Sequence, residues 1–240
     1  GNPQSFLQEE GRAELTRVSI ENAGGVGILG GNSAGSTTVE LVLSDVDING
    51  VQDIGTGPYN GHGVLLYGAS SRLTMQASSV RAAEEDHVVL ISASGTLQDS
   101  YFFGRPDQPK GWMLRLDRRG ATTAEVTVQR FVGVQGRDGF AAYDASVSVE
   151  DFVLSNMSDH GSHVREQGQL TLQRGVMRDL GGSGVVISSN RENDAPGNCQ
   201  IALTDLEMER LTGAGIFDTE RRHFTAGTNP PAVRFNAGAF

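Results

Sequence analysis

The 240 residues carry 32 glycines against 7 prolines, and glycine spread this evenly signals many turns rather than low complexity. Lys and Arg number 19 and Asp and Glu 29, for a formal charge of −10; this argues against a phosphate-backbone partner, which demands a basic face, so no nucleic-acid partner is expected. The single cysteine, Cys199, excludes an intrachain disulfide framework, and no run approaches the ~18 apolar residues of a membrane span.

The chain opens on Gly1-Asn2-Pro3, which reads as a trimmed start. Residues 3–10 (PQSFLQEE) show a short helical pattern around Phe6 and Leu7, so residues 1–10 are expected to cap the fold or mark its truncated beginning.

From residue 11 to about residue 220 one grammar repeats, shown most fully by residues 144–166 (DASVSVEDFVLSNMSDHGSHVRE). Val147 and Val149 alternate with polar residues, Asp151 marks a bend, Phe152 and Leu154 form a second short run, and Gly161 opens a third through Val164. Aligned on the second apolar residue, eight segments superpose: Leu15, Leu43, Met75, Leu97, Val128, Val149, Leu172 and Leu203. One strand position earlier stand Ala13, Leu41, Leu73, Gly95, Val126, Val147, Leu170 and Ile201. A turn column follows: Arg17, Asp45, Ala77, Asp99, Arg130, Asp151, Arg174 and Asp205. The third strand opens at Gly27, Gly63, His87, Gly111, Gly139, Gly161, Gly184 and Gly215.

A period of two within each segment means short strands with one face in and one out. No segment buries its inner face alone, so the segments must stack, at ~4.8 Å per coil and roughly 38 Å for eight coils. Three strands per turn and this inner pattern resemble the right-handed parallel β-helix of the pectate-lyase-like superfamily. The expected fold is therefore all-β: a single-stranded right-handed parallel β-helix solenoid of about eight coils over residues 11–220. Residues 221–240 form a C-terminal cap or tail, in which Phe224, Val233, Phe235 and Phe240 would plug or flank the last coil.

Extra residues in the long coils fall at corners beside the third strand: 49–61 and 104–110 before it, and 30–37, 118–124 and 188–198 after it. Loops on a rigid scaffold commonly carry binding, which directs attention to that face.

The residues just before the third-strand openers form the column Val26, His62, Asp86, Lys110, Asp138, His160, Ser183 and Ala214. Five consecutive ionisable side chains at a rung spacing of ~5 Å place acids beside imidazoles, where pKa values shift toward working range. Asp138, His160, Asp86, His62 and Lys110 are thus the catalytic candidates, with Asp138 or His160 as general acid or base. Tyr67, Met113, Arg115, Tyr143, His163 and Arg165 on the same face are the binding candidates, a set suited to sugar recognition. Gly61-His62-Gly63 resembles the Gly-His-Gly motif of polygalacturonases, where the histidine supports aspartates that activate water. The rest of that signature (Asn-Thr-Asp, a paired Asp-Asp, Arg-Ile-Lys) is missing here.

No cofactor fingerprint is present. No metal site is expected either: the five histidines lack partner cysteines or a paired-histidine motif, and Asp45, Asp47, Asp151 and Asp205 are spread along the rod rather than convergent. A further column, Leu29, Leu65, Val89, Met113, Ala141, His163, Val186 and Phe217, is apolar at seven of eight positions on a face that should meet water. Such a surface calls for a cover, which a tail, a second copy of the chain, a further domain or a glycan would supply.

The expected function is that of a non-catalytic β-helix presenting the third-strand face to a polysaccharide or protein partner. An extracellular or cell-surface location, bacterial in origin, is what the resemblance implies. The alternatives are a carbohydrate-active enzyme, a polysaccharide lyase or glycoside hydrolase on acidic polysaccharide, and a structural spacer or homo-oligomer built through the apolar column.

Overall fold

A computed structural model describes residues 4–32, 37–55, 60–105, 107, 109–118, 124–188, 199–218 and 233–236. Within them the chain winds as a parallel solenoid of 21 strands. The third strands form a nine-stranded sheet, which includes Val26–Gly30, His62–Tyr67, Trp112–Asp117, Asp138–Tyr143 and Ser162–Arg165. The first and second runs share a twelve-stranded sheet, and from Ser94–Phe103 onward the two runs are one continuous kinked strand.

The kinks lie where the sequence pattern puts them. All eight members of the turn column have left-handed backbone, from Ala77 at φ 48° to Asp45 at φ 56°. Aspartate tolerates this region through local hydrogen bonds, but arginine and alanine occupy it too, because stacking dictates the corner in every coil. Two further left-handed columns escaped the sequence reading: Asn22, Ala82, Gln135, Asn156, Asp179 and Arg210 after the second run, and Ser92, Asp144 and Glu166 after the third strand.

The inner columns pair in register through all eight coils, from Leu15↔Leu43 to Val149↔Leu172 and Leu172↔Leu203. They form one core, with Leu43, Met75, Leu97, Val128, Val149 and Leu172 fully buried. Each such side chain contributes about 1.5–3 kcal/mol by leaving water. An aromatic spine runs through it: Phe102, Phe131, Phe140 and Phe152 meet at centroid distances of 5.0, 5.2 and 5.6 Å. The spine ends where Gly175 leaves room; a Cβ there would come within 2.1 Å of the Phe152 ring.

Four expectations need correction. Residues 4–8 are not helical: Gln4–Gln8 is a strand pairing with Val26–Gly30, because the open sheet edge offers backbone partners. The tail rejoins the repeat at Val233–Asn236, which pairs with Leu206 to Glu209; Phe224 and Phe240 lie outside the described residues.

The third correction concerns register in the fourth coil. Val88 pairs with Leu114, not Trp112, and Trp112 pairs with Asp138. The opener of that coil is Met113, fully buried in the core, and Lys110 leaves the column in favour of Trp112. Gly111 serves a different purpose: at φ 67° it lets the backbone of Glu85 and Asp86 approach to 2.5–2.7 Å of where its Cβ would be.

Fourth, the outward apolar column is largely covered. With Arg115 in place of Met113, it reads Leu29, Leu65, Val89, Arg115, Ala141, His163, Val186 and Phe217. Leu65 and Val89 are buried in a second small cluster with Val26, Tyr67 and Ile91, and only Phe217 is largely exposed. Loop residues 33–36, 56–59, 119–123 and 189–198 lie outside the described residues.

Candidate functional site

The corrected column before the openers runs Val26, His62, Asp86, Trp112, Asp138, His160, Ser183, Ala214. Its polar members form a ladder in which each side chain accepts the backbone N–H of its counterpart one coil further on. The Asp86 amide donates to His62 Nδ1 (3.2 Å), and the Trp112 amide to Asp86 Oδ1 (2.6 Å). The His160 amide donates to Asp138 Oδ1 (3.0 Å), the Ser183 amide to His160 Nδ1 (2.9 Å), and the Ala214 amide to Ser183 Oγ (3.1 Å). A buried amide must find an acceptor, and this column supplies it with side chains. The ladder accounts for the residue types without invoking chemistry.

The second oxygens of both carboxylates and the far nitrogen of His160 also have neighbours. Asp138 is only 1% exposed, and its Oδ2 accepts Arg137 Nε at 2.6 Å. Burial raises its pKa above the ordinary carboxylate value, although the Arg137 and His160 hydrogen bonds pull the other way. Asp86 Oδ2 lies 3.7 Å from His62 Nδ1 and 3.8 Å from Arg115 Nη1. Burial lowers the His62 pKa, opposed by Asp86 and aided by Arg115. His160 Nε2 lies 3.1 Å from Asp159. Lys110, away from the ladder, faces Glu84 at 3.5 Å and Glu85 at 3.9 Å.

One strand position along, the binding candidates do converge. Trp112, Tyr143 and His163 form a three-ring cluster with centroid separations of 5.8–6.1 Å, and His160 stands 6.3 Å from His163. Arginines surround it: Arg165 at 4.9 Å and Arg115 at 5.5 Å from the Tyr143 ring centroid, and Arg137 at 5.9 Å from that of Trp112. Cations in this position are attracted by the ring quadrupole. His163 Nε2 meets Ser188 Oγ at 2.6 Å and accepts from Arg165 Nε at 3.2 Å. Burial, then the adjacent Arg165, His160 and Arg137, push the His163 pKa down to about 3, so its ring is neutral at working pH. Burial likewise raises the Tyr143 hydroxyl, against the pull of Arg165 and Arg115.

Arg115 is paired with Asp117 (3.3 Å) and Arg137 with Asp138, but among the described residues no carboxylate pairs with Arg165. Tyr67 sits apart, in the small cluster of the second and third coils, and Met113 is interior. Trp112 and Arg137 are the members that sequence reasoning missed; the lone tryptophan and the arginine beside Asp138 were the available signals. Among the described residues no group of three or more His, Cys, Asp or Glu could hold a metal ion, and no helix is long and apolar enough to cross a membrane.

The architecture is that of a right-handed parallel β-helix. No family model matches the chain, and no curated protein matches it. Among solved structures it is similar to a polygalacturonase from Erwinia carotovora ssp. carotovora. The TM-score is 0.50 at 9% identity, over 97% of this chain and 87% of that one.

Proposed function

We infer that the protein is a non-catalytic, secreted or cell-surface β-helix that binds polysaccharide through its third-strand face, at Arg115, Tyr143 and Arg165, which the buried rings of Trp112 and His163 back. The observation that carries this reading is the ladder. The acids and imidazoles that a glycosidase would use each hold a backbone amide of the next coil, while an aromatic cluster with an arginine free of carboxylate partners among the described residues stands beside them. Aromatic faces stack on sugar rings, and guanidinium groups take carboxylates in bidentate fashion. The likeness to a polygalacturonase supports a glycan rather than a protein as the partner.

One observation favours the alternative, a lyase or hydrolase on acidic polysaccharide: the buried Asp138 carboxyl, held toward its protonated form as a general acid requires. Its 1% exposure and its bond to Arg137 weigh against that role. The deciding experiment pairs a glycan array with a turnover assay on uronate polymers. Binding without turnover, lost in Tyr143→Ala, supports the binding protein. Turnover lost in both Asp138→Ala and His160→Ala would replace it with the enzyme.

A further inference from the structure

The outward sides of the two runs in the twelve-stranded sheet differ in character. On the first run the outward residues are mostly polar: one column holds Thr74, Thr96, Thr127, Ser148 and Thr171, with Val42 and Ala202 toward its ends. On the second run, four consecutive coils present Tyr101, Val132, Val153 and Val176 in one column, with Phe103 and Val134 beside them. Tyr101 is 40% exposed, the other five are half-buried, and the Tyr101 and Phe103 rings stack at 6.4 Å. This patch is remote in the coil from the third-strand face and owes nothing to the glycan reading.

Its two ends carry charge in a pattern that specifies the occupant. Toward the N-terminal end the columns continue into Ser79 and Arg81, and toward the C-terminal end into Arg178, Glu207 and Glu209. We propose that a second copy of this chain docks here, with the two rods antiparallel about a two-fold axis that runs along the strands between the Val132 and Val153 rungs. That operation keeps each column facing itself and reverses the order of the coils. Val132 then meets the second copy's Val153, and Tyr101 its Val176. Arg81 meets Glu209, and Phe103 meets Arg178, a cation against an aromatic face. The parallel arrangement instead places Glu207 against Glu209, like charge on like. Arg81 and Glu209 already have intrachain partners, Asp47 and Arg210, so the docked pairs extend existing networks rather than bury a lone charge.

A face two columns wide is smaller than the ~800 Å² per partner of a standard interface, so the dimer is weak, with Kd on the order of 10–100 μM. Sedimentation velocity over a concentration series reads this directly. The weight-average mass should climb from one chain toward two. Val153→Lys and Tyr101→Ser, each with unchanged circular dichroism, should leave monomer. Arg81→Glu should weaken association at least tenfold, and Arg81→Glu combined with Glu209→Arg should restore it. A monomer at every concentration up to about 1 mM would overturn the proposal and leave the face to another partner. Dimerisation insensitive to Val153→Lys, or abolished instead by Phe217→Ser on the third-strand face, would overturn it as well. Neither result bears on glycan binding, which the array tests separately.

Discussion

Asp86 Oδ1 accepts the backbone N–H of Trp112 at 2.6 Å, and both residues occupy the same column of adjacent coils. The carboxylate thus fastens one turn of the rod to the next, and its geometry makes a sharp distinction measurable.

Asp86→Ala leaves the Trp112 amide buried without an acceptor, which costs about 1–3 kcal/mol. Asp86→Asn keeps an oxygen in place and should recover at least half of that loss. Urea unfolding of the two variants checks the difference. Equal destabilisation would mean that the charge, facing His62 and Arg115, matters more than the hydrogen bond.

Tyr143→Ala and Arg165→Ala should each weaken glycan binding by tenfold or more, about 1.4 kcal/mol. Their stabilities should stay within about 1.5 kcal/mol of the parent, since Tyr143 is only partly buried and Arg165 has no carboxylate partner among the described residues. Arg165→Lys should not restore full affinity, because an ammonium lacks the planar fork. Isothermal titration with the best array ligand reads all three.

Stability should fall in mild acid. The His163 ring titrates near 3 in the folded chain against an ordinary value of 6.5, and burial lowers His62 and His87 in the same direction. For a depressed histidine the unfolded chain binds more protons, so stability is full above pH 6.5 and declines as pH falls from there toward the folded value. The slope approaches about 1.4 kcal/mol per pH unit for each such histidine. Asp138, whose folded pKa burial raises, opposes part of this decline: the folded chain binds the extra proton as pH falls through the raised value toward the ordinary carboxylate value. His87, fully buried and lowered first of all by that burial, is the cleanest probe. His87→Leu should flatten the pH dependence of the urea midpoint between pH 6.5 and 4.5. An unchanged slope would show that His87 protonates without opening the fold.

Gly175→Ala should be among the most damaging single-methyl changes in the chain. The added carbon would stand 2.1–2.5 Å from three atoms of the Phe152 ring, which is itself locked against Phe140. Overpacking of this kind costs about 1–3 kcal/mol. Gly175→Ala combined with Phe152→Leu should recover part of the loss, and thermal unfolding of the pair checks it.

The amino-acid sequence alone determined the solenoid, its inner columns and one of its corners. An apolar residue must return to the same rung of every coil, so Leu15 through Leu203 carry the alignment openly. Periodicity failed at the fourth coil for a physical reason. A two-residue shift preserves which side chains face inward, so Lys110 and Trp112 are equivalent by parity, and only pairing Val88 with Leu114 separates them. The strand at Gln4–Gln8 was hidden because its pattern is ambiguous until an open sheet edge selects it. The destination of each side-chain hydrogen bond belonged wholly to the tertiary structure. Asp86, Asp138 and His160 look alike as acid, base or amide acceptor until the neighbouring coil brings a backbone N–H within 3 Å of them.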